Sequence, residues 1–82
     1  MSIPATDEIY ARLTSTLRDV FDNDALVATP ELRAPDVEGW DSLGNVQLVL
    51  AVEQAFGVRF GAGEISEIRN VGELVDLIRR KV

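Results

Sequence analysis

The chain of 82 residues contains no histidine and no cysteine, and its single lysine is Lys81. Without cysteine it can form neither a disulfide nor a thiolate metal site. Without histidine, a serine nucleophile lacks its usual general base, and the sequence does not bring Lys81 near any serine. We therefore predict that the protein has no metal site and no catalytic activity of its own.

Long apolar runs and an excess of basic residues are also missing. The most apolar stretch, LVLAV at 48–52, is closed by Glu53 and is far too short to span a bilayer. The N-terminal MSIPATDEIY has neither the basic nor the apolar region of a signal peptide. A net charge of −6 argues against nucleic acid as a partner, because phosphate recognition needs a basic face. We expect a soluble, cytoplasmic protein without membrane insertion.

What is present is a set of helical patterns in a single domain, 1–82, with a mostly aliphatic core. Apolar residues at a spacing of 3.6 predict a first helix over 7–22, with Thr6 as its N-cap. The next segment, 23–40, contains two prolines and many turn formers, which predicts a long loop. We expect four of its side chains to pin the loop to the core: Leu26, Val27, Leu32 and Val37.

The second half of the chain predicts two further helices and one short turn. Helix two should run from Ser42 to Phe56, between an Asp41 N-cap and a Gly57 stop. A single turn over 61–68 should direct Ile65 and Ile68 inward. The last helix should span 71–81. Asn70 and Glu73, at its start, are spaced as in a capping box. The fold class is therefore all-α, a small bundle of three main helices plus one short helix, with a long loop between helices 1 and 2.

Helix two carries two apolar strips when its residues are placed at 100° intervals. The core-facing strip is Leu48, Val49, Val52, Ala55 and Phe56. The second strip is Leu43, Val46 and Leu50. Either this helix is buried on most sides, or the second strip is a surface for a partner. On the latter interpretation the candidate partner-binding residues are Val46, Gln47, Leu50 and Glu53.

Ser42 lies within GWDSL, at the start of helix two. The surrounding segment, 34–58, contains no Lys or Arg but several acids, so it should attract basic partners. A helix N-terminus favours a bound anion, above all a phosphate, which makes Ser42 a candidate for modification by another protein. It could instead be a simple capping residue. A hydrolytic pair of Asp41 and Glu38 is disfavoured, because so small a domain has little room for an enclosed pocket.

The stretches DVEGWDSLGNVQLVLAVEQAFGVRF and GAGEISEIRNVGELVDLIRRKV resemble the acyl carrier proteins of the phosphopantetheine-binding family. The resemblance implies that a phosphopantetheinyl transferase, using coenzyme A and Mg²⁺, attaches 4′-phosphopantetheine to Ser42. Asp41 and Leu43 complete the motif. The arm ends in a thiol, which would carry acyl groups as thioesters from a loading ligase or synthetase to acyl-processing enzymes. We also expect a monomer, and we expect Trp40 to anchor the loop, since a tryptophan buries a large area.

The chain departs from the fatty-acid-synthesis type of this family. Gly44, Gln47 and Gln54 occupy positions that are commonly acidic in that type, and we expect the fold to tolerate acids at all three. The Gly-Gly lead-in of peptidyl carriers is also missing. We therefore favour a specialised acyl carrier that serves one dedicated pathway. The alternatives are an aminoacyl or peptidyl carrier, and an unmodified helical adaptor that binds a partner through the second strip.

Overall fold

A computed structural model of the protein describes residues 5–82. Within that range every regular element is helical, so the predicted all-α bundle with a long first loop is confirmed. None of the helices in 5–82 is both long enough and apolar enough to cross a membrane. The elements are α1 (Thr6–Phe21), a 3-10 turn (Ala34–Asp36), α2 (Ser42–Phe56), α3 (Ala62–Ser66) and α4 (Val71–Lys81).

The first helix buries its apolar face and exposes its polar face. Ile9, Leu13 and Leu17, which recur every four residues, are completely buried in the core. The prediction of Thr6 as N-cap was wrong: Thr6 is the first helical residue, and Ala5 before it offers no side-chain cap. The helix ends one residue earlier than predicted, at Phe21, because Asp22 adopts a left-handed conformation with φ of 49°.

The long loop is tied to α1 by side-chain hydrogen bonds to its backbone. Arg18 Nε donates to the Leu26 carbonyl at 2.7 Å, and the Ala28 N–H donates to Thr14 Oγ1 at 2.9 Å. Leu26 and Ala28 are buried, whereas Val27 between them is 53% exposed. The prediction that Val27 anchors the loop was therefore wrong, because this extended segment alternates its side chains between core and solvent.

The rest of the loop is anchored as predicted by Val37, which is buried, and by Leu32, which packs against the core. Between them lies the 3-10 turn, which the sequence pattern did not predict. Its Asp36 carboxylate accepts the Arg33 N–H at 3.0 Å.

The N-terminus of α4 is held by both a cap and the loop. Asn70 Oδ1 accepts the Glu73 N–H at 2.8 Å, as the capping-box spacing predicted. The Val71 and Gly72 N–H groups donate to the carbonyls of Leu32 and Pro30 at 2.9 and 3.1 Å. Since the first N–H groups of a helix have no partner within it, the loop satisfies two that would otherwise need water. The apolar residues of α4 are buried: Val71, Leu74, Val75, Leu77 and Ile78.

The short α3 is joined to α4 by an ion pair. Glu64 Oε1 accepts the Gly61 N–H at 2.8 Å and lies 3.0 Å from Lys81 Nζ. Ile65 and Ile68 are half-buried on the inner side of this segment. The ion pair links α3 to the end of α4 at the surface, and Ile68 packs against the core.

Candidate functional site

Ser42 is exposed and begins α2. Asp41 caps the helix, since its Oδ1 accepts the Gly44 N–H at 2.8 Å and its backbone carbonyl accepts the Asn45 N–H at 2.8 Å. The Ser42 and Leu43 N–H groups donate to no other residue in the described range 5–82. The hydroxyl of Ser42 thus stands at the positive end of a 15-residue helix, beside two available backbone donors.

The groups around Ser42 could not activate it as a nucleophile. The chain has no histidine, and Lys81 lies at the end of α4 in its ion pair with Glu64. Among residues 5–82, no group of three or more acidic side chains is placed to hold a metal ion.

Trp40, two residues before Ser42, is half-buried and packs against the core. Its indole Nε1 donates to Asn45 Oδ1 at 3.0 Å, and its ring centroid lies 5.8 Å from that of Phe21. An indole N–H usually finds a hydrogen-bond partner when it is buried, and Asn45 supplies it here. Trp40 therefore ties the end of the loop to both α1 and α2, which fixes the approach to Ser42.

Gly44 is buried in the first turn of α2, where the chain crosses very close to Gly39. A Cβ at position 44 would collide with the carbonyl oxygen of Gly39 and lie 3.0 Å from Phe21 Cε1. Gly39 itself has a φ of +90°, which side chains rarely adopt. The expectation that Gly44 tolerates aspartate was therefore wrong, because the position faces the loop backbone and not the solvent.

The two apolar strips of α2 have different environments. Leu48 and Val52 are 1% and 0% exposed, so they form the core face. Val49 and Phe56 are half-buried on the same side. Ala55 was wrongly assigned to that face, because it is exposed; its carbonyl accepts a hydrogen bond from the Arg12 guanidinium at 3.4 Å.

The second strip faces outward. Leu43, Val46 and Leu50 are 68%, 54% and 53% exposed. The interpretation in which α2 is buried on most sides therefore fails for these three residues. Gln47 is exposed beside them. Large aliphatic side chains grouped on the surface next to Ser42 indicate an interaction site.

Glu53, the one acid on α2, is partly committed within the fold. Its Oε2 accepts the Phe60 N–H at 2.9 Å, which ties the segment after α2 back to the helix. Glu53 and Phe60 also line a surface groove of about 490 Å³ between α2 and α3, together with Val46, Leu50 and Ile65. Phe60 was not predicted at this site, because its contact depends on how the chain turns after Gly57.

The prediction of Gly57 as the stop of α2 is confirmed. Gly57 has a φ of 66° in the left-handed region, and its N–H donates to the Glu53 carbonyl. The role of Asn45 as acceptor for the Trp40 indole N–H was not predicted.

Comparisons with known proteins agree with this geometry. A family model described as the phosphopantetheine attachment site matches residues 11–78. An acyl carrier protein of Thermotoga maritima is 32% identical over 76 residues, covering 93% of this chain and 94% of that protein. An acyl carrier protein of Acidothermus cellulolyticus is 33% identical over 72 residues, covering 88% and 86%.

A solved structure is similar in fold as well as in sequence. The solution structure of a holo acyl carrier protein from Geobacter metallireducens has a TM-score of 0.84 and 38% identity, covering 89% of this chain and 84% of that one. Members of this family are carriers and not enzymes, and their cofactor is a covalently attached 4′-phosphopantetheine. An exposed hydroxyl at a helix N-terminus suits such a phosphate ester. The chain therefore belongs to the phosphopantetheine attachment family, as an acyl carrier protein.

Proposed function

We propose that Ser42 is the residue that carries 4′-phosphopantetheine. The observation that supports this most directly is its exposed hydroxyl at the start of α2, inside the Asp-Ser-Leu motif and within the matched range 11–78. The arm supplies a terminal thiol, which replaces the cysteine that this chain lacks and can hold an acyl group as a thioester.

The residues around Ser42 prepare it for modification by another protein. Asp41 fixes the first turn of α2 by capping Gly44, which leaves the Ser42 and Leu43 N–H groups available for a phosphate ester. Asp41 is also a candidate to help hold the metal ion of the transferase complex. The transferase would supply the base, because the chain has no histidine and its lysine, Lys81, is paired with Glu64.

The exposed face of α2 supports a dedicated set of partners. Gln47 and Gln54 are exposed and uncharged, and Glu53 is engaged with Phe60. Basic docking sites, which suit an acidic helix, would find few complementary charges here. We infer that an acyl-loading ligase and the downstream enzymes of one specialised pathway bind through Leu43, Val46, Gln47 and Leu50.

Intact-mass measurement tests the attachment. We expect incubation with coenzyme A and a phosphopantetheinyl transferase of broad specificity to add one phosphopantetheine to the wild type and none to Ser42→Ala. That variant should lose less than about 1 kcal/mol of stability, because Asp41 and not Ser42 caps the helix.

Ser66→Ala is the matched control, since Ser66 is also exposed and lies across the groove from α2. It should accept the arm like the wild type. Modification that persists in Ser42→Ala would place the arm on another residue. A wild type that stays unmodified with several transferases would instead favour an unmodified helical adaptor.

A further inference from the structure

A surface groove lies at the C-terminal end of α2, far along the helix from Ser42. Its volume is about 460 Å³. Leu50, a member of the second strip, lines this groove. The other lining residues are Glu53, Gln54, Gly57, Val58 and Arg59. The exposed apolar strip of α2 is therefore continuous with the segment that follows the helix.

The geometry of the helix brings the strip to this end. At 100° per residue, the positions of the strip and of Gly57 fall within an arc of about 60°. At a rise of 1.5 Å per residue, the distance along the axis from Ser42 to Gly57 is about 22 Å. A partner that covers the strip from Ser42 onward therefore meets Arg59 at its far end.

Arg59 is the exposed base of this groove. Val58 before it is buried and Phe60 after it is half-buried, so the segment directs Arg59 outward. The Val58 N–H donates to the Glu53 carbonyl at 3.1 Å, which fixes the segment to α2. Among residues 5–82, the guanidinium of Arg59 has no ion-pair partner within 4 Å.

Another arginine already serves the end of α2. Arg12 donates to the Ala55 carbonyl at 3.4 Å, and its guanidinium lies 5.4 Å from the centre of the Phe56 ring. A cation near a helix C-terminus complements the helix dipole, and Arg12 fills that role by direct contact. The charge of Arg59 is therefore available to a partner.

The charges beside the strip limit which partners fit. Gln47 and Gln54 are exposed and neutral, and the Glu53 carboxylate accepts the Phe60 N–H. A guanidinium can donate two parallel hydrogen bonds to one carboxylate, whereas a cationic side chain brought beside it is repelled. Like charges that meet across an interface suppress the wrong partner more than they change the affinity for the right one.

We propose that Arg59 determines partner specificity at the far end of α2. The fitting partner covers the second strip with apolar side chains and presents a carboxylate to Arg59, and enzymes with basic docking sites are repelled there. This inference rests on the proposed function, in which Ser42 carries the arm and α2 faces the partner enzymes.

A housekeeping ketosynthase with a basic docking site is the first probe. Its active-site cysteine attacks the thioester carbonyl of the loaded protein, which moves the acyl group to the enzyme and releases the thiol of the arm. We expect Arg59→Glu to raise the rate of this transfer about threefold or more at low salt, and less at high salt. Arg59→Gln should give an intermediate rate.

Arg79→Glu is the matched control, because Arg79 is also exposed but lies on α4 and does not line the groove. It changes the net charge by the same amount and should leave the transfer rate within about twofold of the wild type. If the two charge reversals raised the rate equally, only net charge would matter and the proposal would be overturned.

The second probe is the same ketosynthase with one basic docking residue, at the far end of α2, changed to glutamate. Transfer from acyl-pantetheine, which has no carrier, corrects for any change in its intrinsic activity. We expect the wild-type carrier to react about threefold faster with this enzyme than with the unaltered one, and Arg59→Glu to show the opposite order. A wild-type carrier that prefers the unaltered enzyme would overturn the proposal without any carrier variant.

Failure of loading has a different meaning. A wild type that accepts no arm would refute attachment at Ser42, and inhibition of both ketosynthases by the unmodified protein would then measure the same charge preference. We expect urea denaturation to show little change in stability for Arg59→Glu, since its side chain is exposed. A destabilised Arg59→Glu protein with unchanged transfer rates would assign Arg59 to the fold and overturn its role in specificity.

Discussion

Gly44 decides how closely the loop can approach α2. The Gly39 carbonyl occupies the space that a Cβ at position 44 would need. Helix propensity alone favours alanine over glycine by about 1 kcal/mol in a helix interior. Collision with backbone is harder to relieve than contact with a flexible side chain, so the packing effect should outweigh propensity.

We expect Gly44→Ala to lower the free energy of unfolding by about 1–3 kcal/mol, as overpacking commonly does. Gly63→Ala is the matched control. Gly63 is also helical, in α3, but nothing lies within 4 Å of the place where its Cβ would be. Urea denaturation of both variants measures the difference. A Gly44→Ala protein as stable as Gly63→Ala would show that the loop moves away at little cost.

Local features of the site were predictable, and tertiary ones were not. The Asp41 cap and the Gly57 stop depend on contacts within four residues, which the sequence pattern encodes. The burial of Gly44 depends on where a loop backbone crosses it, and the exposure of Val27 depends on the phase of an extended segment. The first has no periodic signal, and the second depends on which residues of a two-residue alternation face the core, which tertiary contacts decide. The position of Ser42 at the start of α2 was predictable because its motif is local.

The helix α2 combines a core face and a surface face in one element. Leu48 is 1% exposed and Leu50 is 53% exposed, although they are only two residues apart. Two residues correspond to 200° around a helix, so the two leucines point in nearly opposite directions. One helix can therefore stabilise the bundle with one side and bind partners with the other.

We expect Leu48→Ala to cost about 2–5 kcal/mol of stability, as a buried leucine does. Leu50→Ala should cost less than about 1 kcal/mol, the usual limit for a surface change. It should nevertheless slow acyl transfer to the partner enzymes. Chemical denaturation and a transfer assay with the loaded protein measure these two effects. Equal destabilisation by the two changes would assign Leu50 to the core.

The short α3 depends on a carboxylate at its first turn. The hydrogen bond from the Gly61 N–H, followed by that from Lys81, lowers the pKa of Glu64 below its usual 4.5. The pKa of Glu64 is lower in the folded protein than in the unfolded chain. Its ionised carboxylate therefore stabilises the fold fully above pH 4.5, and this contribution is lost as the pH falls through the folded-state pKa.

The thermal midpoint of Glu64→Gln should therefore fall less steeply than that of the wild type as the pH drops below about 4.5. The glutamine cannot titrate, and it keeps an oxygen that can accept the Gly61 N–H. Glu67→Gln, which leaves both contacts of Glu64 intact, should preserve the wild-type slope. An unchanged slope in Glu64→Gln would mean that other carboxylates cause the acid sensitivity.

At the scale of the whole molecule, the charge of −6 lies mostly away from α2. Glu53 is the only ionisable residue of that helix. Long-range attraction between a carrier and a basic enzyme depends on where the charges lie as well as on their sum. An acidic protein can therefore be a poor match for an enzyme that recognises an acidic helix.

We expect the loaded protein to lose in competition with an ordinary fatty-acid carrier for a housekeeping ketosynthase. The double change Gln47→Glu and Gln54→Glu should raise its rate roughly threefold or more at low salt, and less at high salt. Ala11→Glu with Ser15→Glu adds the same charge at exposed positions of α1 and should have little effect. Equal rates for the loaded wild-type protein and the fatty-acid carrier would exclude a dedicated partner set.

The bonds from Val71 and Gly72 to the loop link two distant parts of the chain. An amide proton exchanges with deuterated solvent only when its hydrogen bond opens. Because their acceptors are Leu32 and Pro30, both bonds break whenever the loop and the start of α4 separate. Their exchange rates therefore report how often these two segments come apart. A partner that grips the loop would slow both amides together, at positions far from Ser42 in the sequence.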